Sequence, residues 1–330
     1  MKPTTAFDRY QTAVNAAPEH VKEARNRRDV FCSAFGTLPD CTEQVASGSL
    51  ARGTERDPIH DVDLIMVFDR EAHPTWDTGP GSAEEALRYV RDRVKNLLGA
   101  TNGSYAQEVR HTLLRDHVVK CFLDDPDDPD AFAVEVMPAL RVDGGLRVPE
   151  RKRDRWATVN PEYLIAAVAQ RHAEWNKFAP MVRVIKAWKD YVGLDMKSLV
   201  AEVLVLERMP RPPANGDLTR QVALQKFFTA AAVAVMAGVH DPAGLCGEIQ
   251  PDLDRAAVRA QLLEAADLAA RAVAAEDRGD DEHAVRLWHT VFGPDFPSAA
   301  GWQRRGAGAI AGTPALLGSA RPRVKEAPQG

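Results

Sequence analysis

Two aspartates one residue apart open an apolar run, 61-DVDLIMVF-68, and no other stretch constrains the fold as strongly. The run has strand composition, and side chains alternate across a strand. Asp61 and Asp63 therefore share one face with Ile65 and Val67, while Val62, Leu64, Met66 and Phe68 form the other. Two carboxylates on one face repel unless something positive sits between them. A divalent ion such as Mg2+ fits that need, because hard cations bind through one or two carboxylates plus substrate phosphates. A solvated strand end would also account for Asp-x-Asp alone.

Glu135 shifts the balance. It sits mid-strand in 131-AFAVEVM-137, with apolar residues on both sides. A lone buried carboxylate is costly, so it needs an Arg partner or a metal. If its strand lies beside that of Asp61, three acids converge, the arrangement that holds two divalent ions roughly 4 Å apart for in-line attack on a phosphate. Just upstream, 48-GSLARGT-54 reads as a Gly-Ser turn followed by Gly-Thr. Glycine lets the backbone approach a phosphate, and a serine hydroxyl with backbone N–H groups can cradle it. Each element alone is common; the compound is specific.

The rest of the chain supplies context. Its 330 residues suit one large domain or two lobes, and 45% hydrophobic with 27% charged residues is an ordinary soluble composition. The net charge of −5 argues against strong nucleic-acid binding. The basic run 147-RVPERKRDR-155 reads as a solvated loop or linker. Four cysteines without a CxxC pair read as reduced thiols of a cytoplasmic protein. No apolar block reads as a signal peptide or a membrane span; 227-FFTAAAVAVMAGV-239 reads as a buried core helix.

Residues 5–36 read as helical with a break at Pro18, residues 43–47 as a short strand, and 62–68 as a strand. Ser82 is expected to cap a helix running to Leu98. Segments 117–123 and 131–137 read as a hairpin across the acidic turn 124–130. After Pro149, helical spacing recurs over 161–175, 180–192, 196–208, 217–239, 252–276 and 281–291. The expected organisation is an α+β catalytic core with an N-terminal helix over 1–150, a helical lobe over 151–298, and a flexible tail over 299–330.

The motif GSLARGT…DVDL resembles that of the DNA polymerase β-like nucleotidyltransferases, and most of all the bacterial cGAS/DncV-like branch (CD-NTases, SMODS-type). 182-VRVIKAWKDY-191, 197-KSLVAEVL-204 and 284-AVRLWHTVFGPDFP-297 resemble that branch's helical elements. The resemblance covers roughly residues 6–298. It implies a polymerase β-like core of mixed sheet and helices packed against a helical lobe. It implies an enzyme that uses nucleoside triphosphates and Mg2+, with Mn2+ able to substitute, to make a cyclic di- or trinucleotide in CBASS antiphage defence, releasing pyrophosphate. Carried over by residue, Asp61, Asp63 and Glu135 are the metal ligands, and Gly48, Ser49, Lys186 and Ser198 the nucleotide contacts. Without the resemblance, Lys186 would read as a surface charge on an amphipathic helix, and Lys189 is expected to matter little to nucleotide binding. One departure is that most relatives have Asp where this chain has Glu135. The resemblance also implies CBASS-encoded conjugating or regulatory partners acting through the C-terminal tail. Rival readings are a nucleotidyltransferase acting on tRNA or a small-molecule acceptor, and a non-catalytic nucleotide-binding protein.

Overall fold

The structure is a computed structural model that describes residues 1–99, 108–125, 127, 132–214 and 216–298. The tail expected over 299–330, and residues 126 and 128–130 of the acidic turn, lie outside the described residues. The helices are α1 (Pro3–Val14), α2 (Pro18–Phe35), α3 (Gly48–Arg52), α4 (Ser82–Leu98), α5 (Pro161–Glu174), α6 (Phe178–Tyr191), α7 (Ser198–Arg208), α8 (Arg220–Ala234), α9 (Arg255–Asp277) and α10 (Asp281–Phe292). The strands are β1 (Cys41–Ala46), β2 (Asp61–Phe68), β3 (His111–Leu114), β4 (Val119–Phe122), β5 (Ala133–Val142), β6 (Gly145–Glu150) and β7 (Arg155–Val159). The class is α+β, as expected.

Two compact units divide the described chain. One, formed by residues 15–173 and 240–247, holds a sheet in the order β1-β2-β5-β4-β3, with β6 pairing with β5 and β7 with β6. β2 and β5 run parallel, and the other pairs are antiparallel. β5 carries the branch: Ala133–Val136 pair with β4, and Leu140–Val142 pair with β6.

The two faces of β2 part as strand alternation dictates. Val62, Leu64, Met66 and Phe68 enter a core with Phe31 and Phe35 of α2 and Leu87, Val90 and Val94 of α4. Ile65 and Val67 join Val45, Ala139, Leu146 and Val148 in a smaller cluster on the other face. Pro18 opens α2 at its first position, where a missing N–H costs nothing.

Several local expectations change. The Gly-Ser turn is instead the start of the five-residue helix α3. Ser82 does not cap α4: Gly81 takes that place, and the Ser82 hydroxyl accepts a hydrogen bond from the Trp156 indole at 3.0 Å. The basic run 147–155 is not a linker. It forms the ends of β6 and β7 and the turn between them, where Glu150 pairs with both Arg153 and Arg155. Alternation hid this, because Leu146 and Val148 point into the smaller cluster while Arg147 faces away.

A polar knot closes this unit beside the end of β2. The Tyr89 hydroxyl donates to Asp40, and His73 Nε2 lies 2.8 Å from the same carboxylate. The His73 ring stacks on Trp76 at 4.0 Å. Burial raises the Asp40 pKa, but the hydrogen bonds from Tyr89 and His73 outweigh it and hold it below the ordinary value. A depressed carboxylate pKa stabilises the fold above the unfolded value, and that stabilisation is lost as pH falls through the folded one. The expected outcome is a melting temperature that declines below about pH 4. Asp40→Asn should be less stable at pH 7 and lose part of that acid slope. An identical slope in melting scans of the variant would refute the assignment.

The other unit comprises residues 1–14, 174–239 and 248–298 of the described chain, and is helical. α1 belongs here and not with the sheet, which corrects the expected boundary. The Phe7 ring meets Trp288 and Phe296 edge-on at 5.1 Å each, and Tyr10 packs on Phe292 at 5.1 Å. Conversely, β7 and nearly all of α5 cluster with the sheet. In α8, Phe227, Phe228, Ala231 and Ala232 are buried, but Val233 is 75% exposed, so the helix is buried on one side only. No helix among the described residues is long and apolar enough to cross a membrane.

Candidate active site

The parallel pairing of β2 with β5 sets the acids. Its register places Asp61 opposite Ala133 and Asp63 opposite Glu135. A hydrogen bond from the Ala133 N–H to the His60 carbonyl, 2.8 Å long, fixes where the pairing begins. Residues opposite one another on adjacent strands project to the same face. Asp61, Asp63 and Glu135 therefore share one side of the sheet. Glu135 is 8% exposed, and the two aspartates are half-buried.

Sequence reasoning missed a fourth member. β4 places Lys120 opposite Glu135, and its Nζ lies 3.6 Å from Glu135 Oε1. Lys120, Glu135 and Asp63 thus form a row across β4, β5 and β2. The signal was a lysine mid-strand in 117-HVVKCFL-123, with the hairpin partner left to be named. The partner expected for a buried Glu135 was Arg; here it is Lys.

Gly48 seats the second aspartate. A Cβ built on Gly48 would fall 1.7 Å from Asp63 Oδ2, and its φ of 68° lies in the left-handed region. Both facts require glycine. The Ser47 N–H donates to the Asp63 carbonyl at 3.2 Å, so the α3 entry is tied to β2 by backbone as well. Leu50 anchors α3 in the core, and Ser49 follows Gly48 half-buried. The Ser49 carbonyl accepts from Thr54 N–H at 3.0 Å, which folds the Gly53-Thr54 segment back on α3.

The donor set suits a hard divalent ion, since all three side chains offer carboxylate oxygens on one face. Among the described residues, no three His, Cys, Asp or Glu side chains are gathered as metal ligands. Asp63 instead fills the notch at Gly48, and Glu135 faces the Lys120 ammonium. The residues fit the ion in chemistry and register, and the side chains of Asp63 and Glu135 turn toward other partners.

Lys186 and Ser198 lie in the helical unit. Lys186 is not a surface charge: it is 6% exposed and pairs with Glu202 of α7, whose side chain is 1% exposed. Lys189 is buried too, with Nζ 2.9 Å from Asp190. Ser198 is exposed at the first position of α7. Gln250 holds the approach to it, accepting from Lys197 N–H at 2.8 Å and donating to the Asp195 carbonyl at 3.0 Å.

Known proteins share this architecture. A probable cyclic nucleotide synthase of Bacillus cereus (strain VD146) is 21% identical over 335 residues, covering 89% of this chain and 97% of its own. The solved structure of Escherichia coli MS115-1 CdnC with ATP superposes with a TM-score of 0.67 at 17% identity, over 90% of this chain and 99% of that one. The same E. coli CdnC in complex with HORMA-deltaN gives 0.64 at 18% identity, over 89% and 98%. These likenesses bear out the expected CD-NTase fold. Residues 1–172, more than half the chain, match the family described as the Second Messenger Oligonucleotide or Dinucleotide Synthetase domain, and the chain belongs to that family.

Proposed function

We propose that this protein is a template-independent nucleotidyltransferase that joins nucleoside triphosphates into a cyclic di- or trinucleotide signal, in the cytoplasm and in antiphage defence, with release of pyrophosphate. The observation that carries the reading is the shared face of Asp61, Asp63 and Glu135, set by the β2–β5 register and backed by Gly48. Asp61, Asp63 and Glu135 would hold Mg2+, with Mn2+ able to substitute. When bound, the ion supplies positive charge against the phosphates and the attacking and leaving oxygens.

The remaining work falls to the chain itself. Glu135 lies deepest and can orient an attacking ribose hydroxyl and accept its proton. Gly48 keeps the backbone low enough for a triphosphate to approach, and Ser49 can donate its hydroxyl to it. Lys186 and Ser198 are further proposed contacts to phosphate. Regulatory or conjugating proteins are proposed partners; the complex of E. coli MS115-1 CdnC with HORMA-deltaN supports a regulatory protein partner.

The test incubates the purified chain with labelled ATP, GTP, CTP and UTP and Mg2+ or Mn2+, then adds phosphatase. Label that survives as a cyclic product supports the reading. Label transferred to added tRNA or to a small acceptor redirects it, and no turnover under any mixture refutes it. Gly48→Ala sharpens the test. The added methyl must displace Asp63, so turnover should fall by about two decades, ~2.7 kcal/mol of barrier. Wild-type turnover in a folded Gly48→Ala protein would show that Asp63 does not act from this position.

A further inference from the structure

We infer that Lys120 is the positioning residue of the third carboxylate: its ammonium holds Glu135 on the Asp61–Asp63 face and competes with the divalent ion for it. The inference rests on the metal-site reading above and adds a residue that the reading does not contain.

Three observations carry it. Lys120 and Glu135 are register partners, with Nζ 3.6 Å from Oε1. Both side chains are largely withdrawn from water, at 16% and 11% exposed. The strand neighbours of Lys120, Val119 and Cys121, are fully buried, and its Nζ stands 5.6 Å from the centre of the Phe122 ring. A lysine this deep is rarely tolerated unless paired. The pair answers a problem that the site creates. Before an ion binds, Glu135 is a buried carboxylate beside two aspartates, and a resident cation offsets that charge. Once an ion arrives, the same ammonium opposes it, because like charges at a few ångströms repel strongly where water is scarce. Lys120 thus trades metal affinity for a fold that stands without metal.

The experiment uses the full chain and four variants: Lys120→Met, Lys120→Gln, Lys120→Arg and Asp63→Asn. Melting temperature is read in EDTA, and Mn2+ binding is titrated by the loss of the free-ion electron paramagnetic resonance signal. Lys120→Met should melt lower than wild type in EDTA, bind Mn2+ about tenfold tighter, and regain more melting temperature on Mn2+ addition than wild type does. Lys120→Arg should match wild type in both readouts. Lys120→Gln, which keeps a donor for Glu135 but no charge, should also tighten Mn2+ binding and serves if the Met variant does not fold. Unchanged or weaker Mn2+ affinity in the neutral variants overturns the inference, provided that Asp63→Asn loses affinity. If Asp63→Asn binds Mn2+ as wild type does, the metal site itself is refuted, and this inference with it.

Discussion

Asp63→Asn should abolish product formation by three or more decades while leaving the protein folded. The loss corresponds to roughly 4 kcal/mol of barrier at about 1.4 kcal/mol per tenfold. The change is nearly isosteric, so the seat against Gly48 survives and the β2–β5 register, a backbone property, is untouched. What disappears is the charge. An amide cannot replace a carboxylate toward a hard cation, and Glu135 would then face the proposed ion with Asp61 alone. Asp61→Asn should behave alike. The measurement pairs single-turnover assays at saturating nucleotide with a thermal melt. Substantial activity in an Asp63→Asn protein that melts normally would remove the acids from the mechanism.

The second large effect lies in the helical unit. Lys186→Ala should destabilise the protein by about 3–5 kcal/mol, the cost of removing one partner from a buried ion pair. Glu202, 1% exposed at its side chain, would keep its charge without the Lys186 ammonium. A binding assay on that variant would therefore confuse unfolding with lost contact. Lys189→Ala is no neutral control either, since Lys189 is equally buried. The informative variant is Lys186→Met with Glu202→Leu, which removes both charges and should recover most of the stability. If Lys186 also serves the triphosphate, the double variant melts near wild type and still binds ATP at least tenfold more weakly, ~1.4 kcal/mol. Near-normal ATP binding in that stable protein would make Lys186 a structural residue.

What could be read in advance follows the range of each interaction. The alternation of β2 is local, so Val62, Leu64, Met66 and Phe68 could be assigned to the core, and both aspartates to the opposite face, from spacing alone. Glu135 stood out because a carboxylate between Val134 and Val136 demands an explanation. The register that sets it beside Asp63 was not legible, because strand order depends on contacts across the whole sheet. Lys120 was overlooked for the same reason: its meaning lies in the strand next door. The ion pair of Lys186 with Glu202 was not legible either, because helical spacing does not reveal a partner on the following helix. The allegiance of α1 was hidden too. Phe7 and Tyr10 announce an apolar face, but not that Trp288, Phe292 and Phe296 will cover it. The strands β6 and β7 were lost behind their charged edges.

The pairing of β2 with β5 also has a temporal side. Asp63 and Glu135 stand roughly seventy residues apart in the chain, yet they meet on one rung of a parallel ladder. Contacts of such sequence separation form late, because a long loop must be closed before any of them repays its entropy. The β3–β4 and β6–β7 hairpins close far shorter loops. A refolding chain should therefore acquire hairpin structure well before it acquires its acids as a set. Mn2+ uptake during refolding would then act as a clock for the closing of the sheet, trailing the rise of secondary structure. A nascent chain released before Ala133 would hold both aspartates and yet have no strand to set the third acid beside them.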